Sequence, residues 1–177
     1  MLKKLFRAFQ CKEPAALTAG AQAPSIELPD TNGRRIAVSS LLHKGPVLLA
    51  FYKVSCPVCQ FTLPFVERIH NAYGSDKVSI IGISQDDAGD TKEFDAEYRL
   101  TFPSLIDEED YPVSNAYGLT NVPTLFLIQP DGTIAASFTG FDKQGLEGVS
   151  ASFADHAGKP AVAVFRPGES VPDHKPG

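Results

Sequence analysis

Cysteine is scarce in this chain, long apolar runs are missing, and positive charge is not in excess. Three cysteines among 177 residues are too few for a small scaffold held together by disulfides. The longest apolar run, PVLLAFY at residues 46–52, is strand-sized and falls far short of the roughly 18 residues of a membrane helix. The net charge of -5 argues against a general binder of nucleic acids or anionic membranes, because such proteins need a basic field.

What remains is an ordinary globular composition, with 43% hydrophobic and 21% charged residues and a length that suits one domain with its own core. The N-terminal sequence MLKKLFRAFQC is basic, but Arg7 and Gln10 interrupt it, so a complete secretory signal is not predicted. We therefore expect a cytoplasmic, monomeric protein, or an exported one if further residues precede Met1. Residues 1–19 are expected to form a leader, in which Cys11 is an incidental surface thiol.

The apolar pattern predicts alternating strands and helices between residues 20 and 157. The turn sequence DTNG at 30–33 predicts an N-terminal hairpin, and apolar runs at 46–54 and 77–84 predict two buried strands. Apolar residues four positions apart predict a helix from Pro57 to Tyr73 that ends at Gly74. Later segments predict a helix, a short strand, a short helix, a closing hairpin and a last helix at 143–157. This order predicts a mixed α/β sheet covered on both faces, followed by an extended surface tail at 158–177.

Two cysteines, in the stretch KVSCPVC at 53–59, lie where a predicted strand passes into a helix. Structural zinc needs four ligands, and no second C-x-x-C pair is present. A purely structural disulfide would close a very small loop and contribute little. A redox pair best explains the residues around the two cysteines. Pro57 would take the first position of the helix, where a missing N–H costs nothing. Cys56 would then cap the helix, and the helix dipole would favour its thiolate. We predict Cys56 as the attacking thiol and Cys59 as the more buried, resolving thiol.

Two further prolines matter for the predicted geometry. Pro64 lies inside the helical pattern and should kink the helix, unless the helix breaks at Leu63 and a second one follows. Pro123 opens an apolar strand and must lie at its first residue or in a bulge. If the bond between Val122 and Pro123 is cis, the backbone before Thr124 turns outward beside the thiols, where an extended partner could pair by strand addition. These residues leave the isomer open, because most X-Pro bonds are trans.

From about residue 20 to residue 149 the chain resembles the thioredoxin-like superfamily, in particular its TlpA/ResA-type thiol–disulfide oxidoreductases and AhpC/TSA (redoxin) proteins. The matching motifs are the hairpin sequence, VLLAFYKVSCPVC, GISQDD, FPSLID and AYGLTNVPTLFLIQPDGTI. The resemblance implies an α/β, thioredoxin-like domain at 20–157, with a mixed central sheet flanked by helices and an N-terminal hairpin extension. It also implies that Pro123 is cis and neighbours Cys56. The substrate-binding residues that it implies are Pro57, Val58, Val122, Pro123 and Thr124.

Three positions depart from the family pattern. Ser55 stands where thioredoxins usually carry Trp, Ala50 where they carry a buried acid, and Thr62 where many TlpA/ResA-type proteins carry Glu. The carboxylates that usually move the proton of the second cysteine are therefore missing. The charged residues nearest in sequence are Lys53 and Glu67.

Together these residues predict a thiol–disulfide oxidoreductase that exchanges disulfides with protein partners through Cys56 and Cys59. No cofactor is implied, because the electrons reside in the two sulfurs, but an upstream redox partner is. A thiol peroxidase of the AhpC/TSA type is the second hypothesis, although its P-x-x-x-T-x-x-C pattern would require Pro at Leu49 and Thr at Lys53. A copper-binding thioredoxin-fold chaperone is the third, and it would need a histidine beside the two thiols.

Overall fold

A computed structural model describes residues 15–74 and 77–177 of the chain. The expectations for residues 1–14, including Cys11, lie outside the described residues. The described strands are β1 (Glu27–Pro29), β2 (Arg35–Ala37), β3 (Val47–Tyr52), β4 (Ser79–Ser84), β5 (Ser104–Ile106), β6 (Thr124–Ile128), β7 (Ile134–Thr139), β8 (Phe141–Asp142) and β9 (His174–Lys175). The described helices are α1 (Val38–Leu42), α2 (Pro57–Tyr73), α3 (Ala88–Tyr98), α4 (Pro112–Ala116) and α5 (Lys143–Ala157).

The central sheet has the strand order β5-β4-β3-β6-β7. Strand β3 runs parallel to β4 and antiparallel to β6, so the sheet is mixed, as the sequence predicts. All six residues of β3 are buried, which explains its uninterrupted apolar sequence. Strand β3 is the central strand, and only residues 53–56 separate it from α2, so the helix begins close to the carboxyl end of the central strand.

The two faces of the sheet carry separate apolar cores. One face, which we call the thiol face, packs Leu48, Ala50 and Tyr52 against helices α2 and α5, and its core includes Cys59. The opposite face, the hairpin face, carries the alternate side chains of β3, together with residues of α1 and of the segment that precedes β1. The helices and the hairpin thus cover both sides, as expected for a domain of this class.

The predicted N-terminal hairpin is confirmed, because β1 and β2 pair antiparallel around the turn at residues 30–33. The Asp30 side chain accepts hydrogen bonds from the backbone N–H groups of Asn32 and Arg34. Gly33 adopts a φ of +82°, a conformation that glycine reaches without steric cost. The local sequence therefore specifies this turn without help from distant residues.

Helix α2 runs unbroken through Pro64, so the alternative of a break at Leu63 is wrong. A proline inside a helix costs about 3 kcal/mol, because it removes one hydrogen bond and crowds the preceding turn. Buried side chains on both sides of Pro64, including Leu63 and Phe65, offset that cost by continuing the apolar stripe along the thiol face. The helix ends at Gly74, whose N–H bonds to the His70 carbonyl oxygen.

The tail at 158–177 follows an extended path but enters the core as well as crossing the surface. Val164 and Phe165 are buried in the thiol-face core. The Phe165 ring lies 5.1 Å from the Phe65 ring, measured between centroids. Further along, β9 pairs with β8. In the part of the chain that the structure describes, no helix has the length and apolarity needed to cross a membrane.

Candidate functional site

Cys56 occupies the N-cap of α2, and Pro57 takes the first helical position, where its missing N–H costs nothing. The Cys59 backbone N–H donates a hydrogen bond to the Cys56 sulfur over 3.2 Å. The Cys56 side chain is half-buried, so reagents and partners can reach its sulfur. The sulfur of a cysteine at this position faces the free N–H groups of the first turn and the positive end of the helix dipole, and both favour the thiolate.

Cys59 lies one turn further along α2 and is completely buried. Burial raises the pKa of its thiol well above the ordinary value, and a hydrogen bond with Cys56 raises the pKa further. Both thiols are free, so the structure represents the dithiol form of the pair. The arrangement gives one accessible sulfur and one protected, protonated sulfur in contact with it.

The loop that leads from β3 into α2 is held at Val54 by two side chains. Asp86 accepts a hydrogen bond from the Val54 N–H over 2.7 Å, and the Gln60 side chain donates to the Val54 carbonyl oxygen over 2.9 Å. The Cys56 N–H donates to the Lys53 carbonyl oxygen over 3.1 Å, which closes the turn. These bonds fix the direction in which the Cys56 side chain leaves the backbone.

The segment before β6 faces the thiols from the other side. The bond between Val122 and Pro123 is cis, and the Cys56 thiol donates to the Val122 carbonyl oxygen over 3.4 Å. The structure thus brings Cys56 and Val122 together across 66 residues of sequence. The Thr124 hydroxyl donates to the Asn121 carbonyl oxygen over 2.7 Å.

The implied substrate-binding residues differ in how accessible they are. Pro57 is exposed, Val58 and Val122 are half-buried, and Pro123 and Thr124 are buried. The first three can contact a partner through their side chains. Pro123 and Thr124 can shape the site only through the course of the backbone, since both are buried and the Thr124 hydroxyl already donates to the Asn121 carbonyl oxygen.

Lys53 and Glu67 are the charged residues nearest to the thiols in sequence, and their charged groups contact other side chains. The Lys53 ammonium group lies over the Tyr111 ring, 5.7 Å from its centroid. Glu67 accepts hydrogen bonds from the N–H and hydroxyl of Thr101, which tie it to the loop after α3. In residues 15–74 and 77–177, no three His, Cys, Asp or Glu side chains lie close enough together to hold a metal ion.

Asp86 is the carboxylate that sequence reasoning missed. Besides bonding to Val54, its charge contributes to raising the pKa of the Cys59 thiol. The signal for it was present in the motif GISQDD, because β3 and β4 are parallel and Tyr52 pairs with Ser84. Residues that follow two neighbouring parallel strands meet at the same edge of a sheet, so Asp86 had to lie near the loop before Cys56.

Comparison with known proteins places this geometry in a family. Residues 19–137 match the AhpC/TSA family. The thiol-disulfide oxidoreductase ResA of Bacillus subtilis is 33% identical over 129 residues, which cover 71% of this chain and 69% of that protein.

Solved structures show the same fold. The thioredoxin domain of a thiol-disulfide oxidoreductase from Bacteroides vulgatus superposes with a TM-score of 0.69 at 23% identity, covering 78% of this chain and 99% of that one. Peroxidoxin BcpB from Mycobacterium tuberculosis superposes with a TM-score of 0.63 at 25% identity, covering 87% of this chain and 99% of that one. The thioredoxin-like fold is therefore confirmed. The chain belongs to the AhpC/TSA family and is an oxidoreductase, related to the ResA-type thiol-disulfide oxidoreductases.

Proposed function

We propose that this protein exchanges disulfides with other proteins through Cys56 and Cys59. The observation that carries the proposal is the pairing of an accessible Cys56 sulfur at a helix N-cap with a fully buried Cys59 one turn later. The accessible sulfur can meet a partner, and the buried sulfur can meet only its neighbour. This is the division of roles that a two-step exchange requires.

In the reducing direction, the Cys56 thiolate attacks one sulfur of a client disulfide. The client S–S bond breaks, the released client sulfur takes up a proton, and a mixed disulfide joins Cys56 to the client. Cys59 then gives its proton to solvent, and its sulfur attacks the Cys56 sulfur, so that the bond between Cys56 and the client breaks and the second client sulfur leaves as a thiolate, which takes up a proton from solvent. The client has gained two electrons, the protein holds a Cys56–Cys59 disulfide, and an upstream dithiol partner returns the electrons.

The raised pKa of Cys59 has a role in this sequence. A buried thiol that stays protonated near neutral pH does not compete with Cys56 for the incoming disulfide. It attacks once the mixed disulfide lies in contact with it. Because only the deprotonated thiol attacks, the second step is expected to accelerate as the pH rises.

The client is expected to dock along the backbone before β6. Val58 and Val122 provide half-buried apolar contacts next to the Cys56 sulfur, and Pro57 is exposed beside them. An extended client segment could pair with the backbone at Val122 by strand addition, which would place its disulfide over Cys56. Backbone pairing of this kind accepts many client sequences.

Replacing each cysteine in turn tests the proposal. Cys56→Ser is expected to lower the rate of insulin disulfide reduction at least about a hundredfold, because a serine oxygen cannot form the mixed disulfide. Cys59→Ser is expected to accumulate the mixed disulfide, which mass spectrometry detects as a covalent adduct. Cys11→Ser removes the thiol outside the motif and is the matched control.

Two results would contradict this assignment. Full activity in Cys56→Ser would show that the roles are wrong. Rapid consumption of hydrogen peroxide without insulin reduction would favour the peroxidase hypothesis, to which the likeness to peroxidoxin BcpB lends support. Against that hypothesis, Lys53 stands where the peroxidase pattern has Thr, and its side chain is turned toward Tyr111.

The midpoint potential of the Cys56–Cys59 pair separates the two directions of electron flow. Thiol trapping across glutathione buffers gives this midpoint. A value near about -270 mV would fit the proposed cytoplasmic location and a reductant, whereas a value above about -200 mV would fit an oxidant or isomerase outside the cytosol.

A further inference from the structure

Residues 173–177, which we call the strap, cross the edge of the domain beside the dithiol. Strand β9 within the strap pairs antiparallel with β8. The Lys143 N–H donates to the Asp173 carbonyl oxygen over 2.9 Å, which anchors the start of the strap at the first residue of α5. The path of the strap is thus set by backbone contacts with the folded domain.

From this anchor the strap reaches the same backbone group that Cys56 contacts. The Asn121 side chain donates to the Gly177 carbonyl oxygen over 3.3 Å. A Cβ atom added to Gly177 would lie 2.6 Å from the Val122 carbonyl oxygen, so the strap backbone packs directly against Val122. The Cys56 thiol donates to that same carbonyl oxygen over 3.4 Å. Strap and thiol therefore approach one backbone group together.

Two further contacts hold the strap in this place. The Lys175 ammonium group lies over the Phe61 ring, 4.2 Å from its centroid. Gly140 passes close beneath the strap, and any side chain there would collide with the Lys175 carbonyl oxygen. Gly140 also donates its N–H to the Pro123 carbonyl oxygen over 2.7 Å, so the strap, residue 140 and the segment before β6 form one packed unit.

We infer that the strap is a specificity-determining element, which covers the Val122 backbone against protein clients and leaves Cys56 open to small disulfides. This inference rests on the proposed function, since it concerns the backbone where a client would pair. A protein client must displace the strap, whereas a small disulfide needs only the Cys56 sulfur. The apparent affinity for protein clients is then the intrinsic affinity multiplied by the fraction of molecules in which the strap is displaced.

The test compares a variant lacking residues 173–177 with the full chain, both carrying Cys11→Ser so that only the dithiol is measured. One pair of measurements is kcat/KM for insulin and for glutathione disulfide, with dithiothreitol as the reductant that regenerates the dithiol and with its direct reaction with each substrate subtracted. The other is the rate at which the reduced protein is alkylated at Cys56 by a maleimide on a bulky polyethylene glycol and by iodoacetamide. Lys175→Ala weakens the strap without removing it, and Lys159→Ala, an exposed lysine of the same tail, is the matched control.

Removing the strap is expected to raise kcat/KM for insulin at least about threefold, mainly through KM, and to raise bulky alkylation similarly. The kcat/KM for glutathione disulfide and the rate of alkylation by iodoacetamide should change by less than about twofold, because these small molecules do not need the covered backbone. Lys175→Ala should move the same quantities in the same direction by less, and Lys159→Ala should leave them unchanged.

The inference would be overturned if the shortened chain had an unchanged or lowered kcat/KM for insulin together with an unchanged rate of alkylation by the bulky maleimide. If the shortened chain melts at a much lower temperature, Lys175→Ala gives the decision by the same criteria. If neither chain reduces insulin, the proposed function fails, and the ratio of bulky to small alkylation still decides whether the strap covers the site.

Discussion

The segment before β1 and the tail at 158–177 lie on opposite faces of the sheet, and a buried tyrosine holds each of them. On the hairpin face, the Tyr117 hydroxyl donates to the Pro24 carbonyl oxygen over 2.9 Å. On the thiol face, the Tyr73 hydroxyl accepts a hydrogen bond from the Val162 N–H over 2.6 Å and donates to the Pro160 carbonyl oxygen over 3.3 Å. Both segments are thus joined to the domain by polar contacts within apolar surroundings.

The remaining contacts of the two segments differ in kind. The segment before β1 pairs through its backbone, for instance between the Ala23 N–H and the Gly132 carbonyl oxygen. Within the tail, the strap pairs through its backbone, but residues 158–172 are anchored mainly by side chains, chiefly the buried Phe165 and the ion pair between Arg68 and Glu169. Backbone pairing survives most substitutions, whereas side-chain anchoring does not. The tail should therefore be the more sensitive of the two to single changes.

The largest expected effect comes from Phe165→Ala. Removing this ring takes away its contacts with Phe65 and Phe141 and leaves a cavity, so the free energy of unfolding should fall by about 3 kcal/mol. Urea unfolding measures the change. Val162→Ala, at a tail residue that is 52% exposed, is the control and should stay within about 0.5 kcal/mol of the parent. A Phe165→Ala value as small as the control's would show that the tail is not part of the core.

A smaller effect distinguishes the two tyrosines. Tyr73→Phe removes the partner of two backbone groups and should cost about 2 kcal/mol, whereas Tyr117→Phe removes the partner of one and should cost about 1 kcal/mol. The same urea titrations give both values. Equal costs, or a larger cost at Tyr117, would contradict the expectation that Tyr73, with two backbone partners, anchors the tail more strongly than Tyr117 anchors the segment before β1.

The smallest effect concerns the pH dependence of stability. Hydrogen bonds from Arg68 and from the Arg166 backbone lower the pKa of Glu169 to about 2, from an ordinary value of 4.5. Because the folded-state pKa is lowered, the stabilisation from this carboxylate is complete above 4.5 and is lost as the pH falls toward about 2. Glu169→Gln should therefore be less stable than the parent at neutral pH, and the difference should shrink at about pH 3.

The control for this pH experiment is Glu27→Gln, which breaks the exposed pair with Arg35 on the hairpin. Exposed pairs contribute little, so its effect should be small at every pH. A difference between Glu169→Gln and the parent that does not change with pH would show that the ion pair contributes nothing through its charge.

The elements that a local pattern specifies were predictable from the sequence. The hairpin turn, the buried β3 and the capped start of α2 each depend on residues within a few positions of one another. The apolar pattern also predicted α2 from Pro57 to Tyr73, but it left a break before Pro64 open, because continuity there depends on whether distant residues bury the helix on both sides of the proline. Tertiary packing decided the outcome against local preference.

The tail and part of the site escaped prediction for a related reason. Val164 and Phe165 lie in a proline-rich segment without helical or strand periodicity, so nothing local indicates that they are buried. The contact between residues 121–122 and 177 likewise joins parts of the chain that no local pattern connects. Asp86 was within reach of prediction, because the parallel alignment of two predicted strands is enough to place it.

The complete burial of Cys59 has a consequence for the rate law. Electrons can enter and leave the pair only at Cys56, because it carries the one accessible sulfur of the two. Under the proposed function, the upstream donor and the client therefore visit the same atom in turn, and neither can bind productively while the other is attached. The protein should follow substituted-enzyme, or ping-pong, kinetics, in which each partner sees only the form left behind by the other. A cell could then change the flux through the protein by altering the supply of either partner alone.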